Sequence, residues 1–493
     1  MELPSNSLLW HLGSSNFPLA GTLCRMSCRY FFTGLFLLQT ALPLSANEGH
    51  WPQWRGPQMN GIARSDANPP VEWSESKNVQ WKVKIPGNGS SSPIIWGDKV
   101  FITTAVSTAK SDNQAAPTAP APTPVAADRG RESGDGGERK RRRPGGGGMM
   151  RSGTPEHPYE FWLLCLERST GKVLWQRKAQ QEKPHEGHHQ DHGFASHSPV
   201  TDGERVYAYF GSRGLHCYDL NGKHLWSKTF GQMQTRNSFG EGSSPALGKN
   251  VLIINWDHEG DDFVAAVDKL TGEIRWKKER EEPTSWSTPL IIEHDGKEQA
   301  VVSATNSVRS YDTATGEILW QCTGMTLNVI PTPLLHEDVV YLASGFRGSS
   351  LMAVKLGASG DLTGTDSVLW THDSRTPYVP SPVLVGERVY FFSGNSGMLT
   401  SLDAKTGGVK IDAERVPELP GVYASPVATA DRIYLTGRNG EGIVIKPADK
   451  LEVIATNRLD DRFDASPAIV ENQIFLRGQQ YLYCLSQGAV TQN

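Results

Sequence analysis

The chain has 493 residues, 38% of them apolar and 21% charged, with 50 glycines, 31 prolines and 14 tryptophans, which is too apolar and too aromatic for wholesale disorder. Lys and Arg number 49 against 53 Asp and Glu, a formal charge of −4, so neither a basic nucleic-acid protein nor a strongly acidic solvating chain is indicated.

The first apolar run, residues 30–44, follows Arg25 and Arg29 and ends in Leu44-Ser45-Ala46. It is too short and too interrupted to span a bilayer and has the layout of a secretory leader, so residues 1–46 are expected to be a signal peptide, with Met26 an alternative start. The mature chain is then expected to be periplasmic or secreted, without a transmembrane span. Residues 47–77, with Trp51-Pro52-Gln53-Trp54, read as an irregular arm held by its aromatics. Residues 106–156 pass from Ala/Pro/Thr-rich to Gly-rich and charged, including the run Arg139–Arg143, and are expected to be a disordered insert.

From Ser92 onward one pattern returns: Ser/Thr-Pro, an apolar strand, a Gly/Asp/Asn turn, a second strand, an irregular loop, a third strand, a Thr-Gly turn and a strand closing in Trp. Eight prolines mark it (93, 199, 245, 289, 333, 382, 426 and 467), the last six spacings being 46, 44, 44, 49, 44 and 41 residues. Four short strands per period of that length predict an all-β, eight-bladed propeller over residues 78–485, with 486–493 a tail. The eighth copy stops after its third strand near Leu485, whereas residues 78–85 form a lone strand containing Trp81. That strand is expected to complete the last blade and close the ring without a free edge.

The turns repeat as Asp268-x-x-Thr271-Gly272-x-x-x-Trp276, Asp312-x-x-Thr315-Gly316-x-x-x-Trp320 and Glu167-x-x-Thr170-Gly171-x-x-x-Trp175. Gly supplies the positive φ of the turn, and the Trp is read as packing between neighbouring blades. Blades six and seven depart: Ile411 stands where Trp belongs, and residues 447–450 lack Thr-Gly, so their packing is expected to be differently filled. Cys165, Cys217 and Cys484 share one phase of the repeat, which favours buried thiols; with Cys322, three disulfide pairings remain open.

Two local clusters invite a metal reading. His185-Glu186-x-x-His189 matches the zinc-protease string, but Pro184, Gly187 and Gly193 deny it a supported helix, and a polar loop is expected. The acidic run 257–262 lacks the order of a calcium loop and is expected to be solvated. No metal site and no catalytic residue are therefore assigned.

Chain direction places the loops before each Ser/Thr-Pro, and those between second and third strands, on one face, which holds the unusual residues. Candidate ligand-binding residues there are Arg236, Asp257, Trp286, Asn306, Arg309 and Arg347. The repeat resembles the pyrroloquinoline quinone (PQQ) type, A-x-D-x-x-T-G-x-x-x-W. Within that family the resemblance implies two roles. Quinone-dependent alcohol dehydrogenases hold PQQ and calcium in the channel and typically carry a vicinal disulfide, whereas this chain has no Cys-Cys pair and no Cys-x-x-Cys-His. It is more similar to the non-enzymatic members, among them the propeller subunit of the outer-membrane β-barrel assembly machinery. The implied function is a monomeric module without cofactor that binds an envelope or extracellular protein; a PQQ-dependent oxidoreductase and a carbohydrate-binding propeller are the alternatives.

Overall fold

The computed structural model describes residues 49–109 and 152–489; the expected leader, almost all of the expected insert and the last tail residues lie outside them. The described chain forms eight antiparallel sheets. Blade one comprises Ile94–Trp96, Lys99–Ser107, Tyr159–Glu167 and Val173–Glu182, and the next six follow the same consecutive order. Blade eight has Ala468–Val470, Gln473–Arg477 and Tyr481–Ser486, and takes Val79–Lys84 as its outer strand, Trp81 lying opposite Cys484. The ring thus closes as the truncated eighth repeat predicts. Blade four gains a short parallel fifth strand, Gly360–Asp361.

Each Ser/Thr-Pro marks the start of an innermost strand, and the hydroxyl has a geometric task there. The amide of Ser92 donates to the Oγ of Ser198, Ser198 to Ser244, and Ser244 to Thr288, at 2.9 to 3.0 Å. Thr332, Ser381 and Ser425 continue to Ser381, Ser425 and Ser466 in the same way. At six of the eight blades the backbone amide beside the proline is thereby paired with the next blade, in a belt of buried hydroxyls around the axis.

At the outer rim, tryptophan and glycine form a lock. A Cβ on Gly222, Gly272, Gly316 or Gly407 would lie 2.5 to 2.8 Å from the indole of Trp175, Trp226, Trp276 or Trp370 in the preceding blade, and Gly171 stands equally close to Trp81. Positive φ is only half of why Gly is needed; the other half is that the ring lies flat on its α-carbon. Blade seven has no such glycine and blade six has Ile411, buried at 3% exposure, in place of the ring. The arm compensates at blade seven: Trp73 packs on Gly442, stacks near Tyr434, and its amide donates to Asn457. Cys165, Cys217, Cys322 and Cys484 are free and buried.

Candidate functional site: an axial cavity with a plug and a strap

The innermost strands leave an axial cavity of about 510 Å³, walled by segments that enter all eight blades. Belt hydroxyls of Ser92, Ser198, Ser244, Thr288, Ser425 and Ser466 line it, together with the rings of Trp54, Phe239, Trp286, Phe346, Tyr378 and Tyr423. Phe346 and Tyr378 stack with centroids 5.0 Å apart, and Trp286 is fixed by its Nε1, which donates to Gly240 O at 2.7 Å. An aromatic wall with a few hydrogen-bonding groups is the composition of a binding pocket.

Beneath the cavity the N-terminal arm acts as a plug. His50–Trp51 pairs with Ile95 and Trp96 of blade one, and Pro52 O accepts from Thr201 of blade two. Arg55, 1% exposed, donates to Pro382 O of blade six at 2.5 Å, and also to Asn60 O and Met59 O. Ile62 bridges Ala428 of blade seven, and the Asn68 amide donates to Glu471 O of blade eight. No carboxylate faces Arg55 among its bonds, and burial lowers its pKa to about 9.

Over the other end leans the crossover from blade one to blade two. Residues 185–192 are turns, not a helix, so the zinc-protease geometry is absent: His185 bonds Met233 O, whereas His189 packs edge-on against Phe239. Asp191 reaches back over blade eight to blade seven, accepting from Arg462 at 2.6 Å and from Tyr423 at 3.1 Å, with Arg438 at 2.9 Å. Arg438 also pairs with Asp464 and lies 3.7 Å above the Tyr423 ring. The result is a charge-balanced strap of Asp191 and Asp464 against Arg438 and Arg462. Burial pushes the Asp464 carboxyl up to about 6, the arginine opposing, and burial brings His192 down to about 4, so that its ring is neutral near pH 7.

Of the six candidate residues, Trp286 alone lines the cavity. Arg236 is half-buried near Tyr378, and Arg347 is exposed beside Phe346 with φ of 52°. Asn306 and Arg309 are engaged by Glu282, and Asp257 is turned into its blade. The expectation of a solvated acidic run fails at Asp257 and Asp262: Asp257, 2% exposed, pairs with Arg280 at 2.7 Å and accepts from Ser285, while Asp262 accepts the Glu282 amide. The sequence places Trp54 in the arm but does not bring it to the cavity, and it does not join Asp191 to the arginines of the strap, because these contacts lie outside the phase of the repeat.

No curated protein matches the sequence. Among solved structures, quinohemoprotein alcohol dehydrogenase from Comamonas testosteroni aligns with TM-score 0.54 at 11% identity, covering 90% of this chain and 82% of that one. The quinohemoprotein alcohol dehydrogenase ADHIIG from Pseudomonas putida HK5 aligns with TM-score 0.50 at 10% identity over 90% and 81%. BamB from Moraxella catarrhalis aligns with TM-score 0.46 at 12% identity over 65% and 91%. Identities this low speak for the fold alone.

PQQ is a tricarboxylate, and its calcium needs six to eight oxygen ligands. Among the described residues no Lys, Arg or Cys lines the cavity, and its two carboxylates, Asp191 and Asp464, are already matched by Arg438 and Arg462. The residues present do not fit that group. A family model described as outer membrane protein assembly factor BamB matches residues 160–321 and 222–453, more than half of the sequence. The chain therefore belongs to the BamB-type family of PQQ-repeat β-propellers.

Proposed function

We propose that this propeller is an extracytoplasmic, non-catalytic binding module that docks an envelope protein on its loop-rich face, with an apolar or aromatic side chain of the partner seated in the axial cavity. The observation that carries the reading is the cavity itself: plugged by the chain's own arm, walled by six aromatic rings and neutral in its charge balance. Rings held in place by hydrogen bonds and stacking lose little entropy when covered, as hot-spot pockets require. Trp286 is assigned to the pocket wall, with Arg236 and Arg347 at its rim.

Photo-crosslinking in cells tests this directly. A crosslinker at Arg347 is expected to trap discrete envelope proteins, whereas one at Leu270, 55% exposed on a Thr-Gly turn of the other face, is not. Trp286→Ala should weaken the Arg347 product at least about tenfold, the usual effect of losing a pocket aromatic. Identical products from both positions would refute the proposed face.

A further inference from the structure

The strap carries a second cluster, apart from the cavity. One ligand atom each from His185, Glu186 and Glu241 lie within 4.8 Å of one another. His185 Nε2 is 2.5 Å from the Met233 carbonyl, which can only accept, so Nε2 carries the proton. Nδ1 is then a bare lone pair, and it is buried without a partner. Glu241 accepts from the amide and hydroxyl of Ser212 at 2.6 and 2.7 Å, and neither carboxylate of the cluster draws a hydrogen bond from His185.

Charge points the same way. Arg213, 3% exposed, is the cation near these groups, held 3.3 Å from Glu182 and 2.8 Å from Glu241 and lying over the rings of Phe161 and Phe194. Glu186 instead accepts from the amide and hydroxyl of Thr235, which leaves its charge unmatched. One guanidinium among three carboxylates leaves an excess of two negative charges. Beside Glu186 and Glu241, and next to His185 in the chain, lies a void of about 10 Å³, the room of one small ion or water, whose wall also carries Arg213 and His197. His197 is 2% exposed and its Nδ1 has no partner.

We propose that His185, Glu186 and Glu241 bind one divalent transition-metal ion, of the zinc class, which ties the blade one to blade two crossover to the segment entering blade three. An imidazole nitrogen with two carboxylate oxygens suits zinc better than magnesium or calcium, which favour oxygen throughout. The Met233 carbonyl on the far ring nitrogen is the outer-shell partner such a histidine needs. Tetrahedral zinc places its ligands about 3.3 Å apart, so the three atoms, now within 4.8 Å of one another, draw closer on binding.

The test uses the full chain, stripped with a chelator and titrated with zinc by calorimetry and with cobalt by visible absorption. The expected result is one ion per chain, tetrahedral cobalt bands and a rise in melting temperature. His185→Ala and Glu186→Gln, each checked for its fold by near-ultraviolet circular dichroism, should bind at least about tenfold more weakly. His188→Ala should bind as the unaltered chain does, since His188 Nδ1 faces the His189 carbonyl. No ion bound, binding retained in both His185→Ala and Glu186→Gln, or loss in His188→Ala equal to that in His185→Ala would each overturn the site.

Discussion

Replacing Gly316 by alanine isolates the tryptophan–glycine lock between blades three and four. Gly316 has φ of +73°, where a side chain costs roughly 1–2 kcal/mol on its own. The added Cβ would also stand 2.7 Å from Trp276 Cδ2 and 2.8 Å from Cε3, about 1 Å inside a comfortable carbon–carbon contact. The indole cannot slide away freely, because its Nε1 donates to Thr313 O at 2.8 Å and its face stacks near Tyr311, with centroids 6.1 Å apart. Moving it sacrifices that bond, about 1 kcal/mol, and forces repacking worth roughly 1–3 kcal/mol. Gly316→Ala should therefore destabilise by about 3–6 kcal/mol, read as a shift of the urea midpoint by far-ultraviolet circular dichroism. Gly97 is the control: its φ is +56° with nothing within 4 Å of an added Cβ, so Gly97→Ala should cost only the backbone share. Trp276→Leu removes the obstacle, and the double variant should be at least about 1 kcal/mol more stable than the two single changes added together. Additivity to within about 0.5 kcal/mol would refute the steric lock and leave positive φ as the sole reason for the glycine.

Two further outcomes are expected. Asp464 holds its proton more tightly when folded, with a pKa of about 6 against about 3.9 unfolded, so its contribution to stability is complete below the unfolded value and is lost as pH rises through 6. The stability of the unaltered chain relative to Asp464→Asn should thus improve by about 1.4 kcal/mol between pH 7 and pH 5, and a difference in melting temperature that ignores pH would refute this. Arg55→Met strands the carbonyls of Met59, Asn60 and Pro382 beneath the cavity, at a cost of roughly 2–4 kcal/mol, and should speed proteolysis within residues 49–77 at least about tenfold; unchanged cleavage would show that the plug does not depend on the guanidinium.

What could be read from sequence was whatever recurs in phase. The Ser/Thr-Pro starts, the Thr-Gly turns and the lone Trp81 strand disclosed the blade count and the mode of closure, since a propeller must satisfy the same packing eight times. Recurrence also showed where the pattern breaks, at Ile411 and residues 447–450, though not that Trp73 from the arm would serve blade seven. Residues used once were opaque. A run such as Asp257-His258-Glu259 looks solvated until Arg280 is known to face Asp257 within the same blade. Trp54 and Arg55 lie in a segment with no periodicity, and that segment is anchored to five blades by contacts along its length. The histidine string was conspicuous, but its usual spacing pointed to His189, whereas the atoms that meet His185 belong to Glu186 and to Glu241, more than fifty residues away.

The eighth sheet unites the two ends of the described chain, and this governs how the molecule comes into being. Its outer strand, Val79–Lys84, leaves the ribosome before any other blade strand, and the strand it must join, Tyr481–Ser486, leaves last. Until then Trp81 has no Cys484 opposite it and the plug has no complete socket, so a nascent or truncated product is an open arc with two raw edges. Such edges invite pairing with other chains. Circularity is thus a single late event, in which latch, floor and cavity are acquired together.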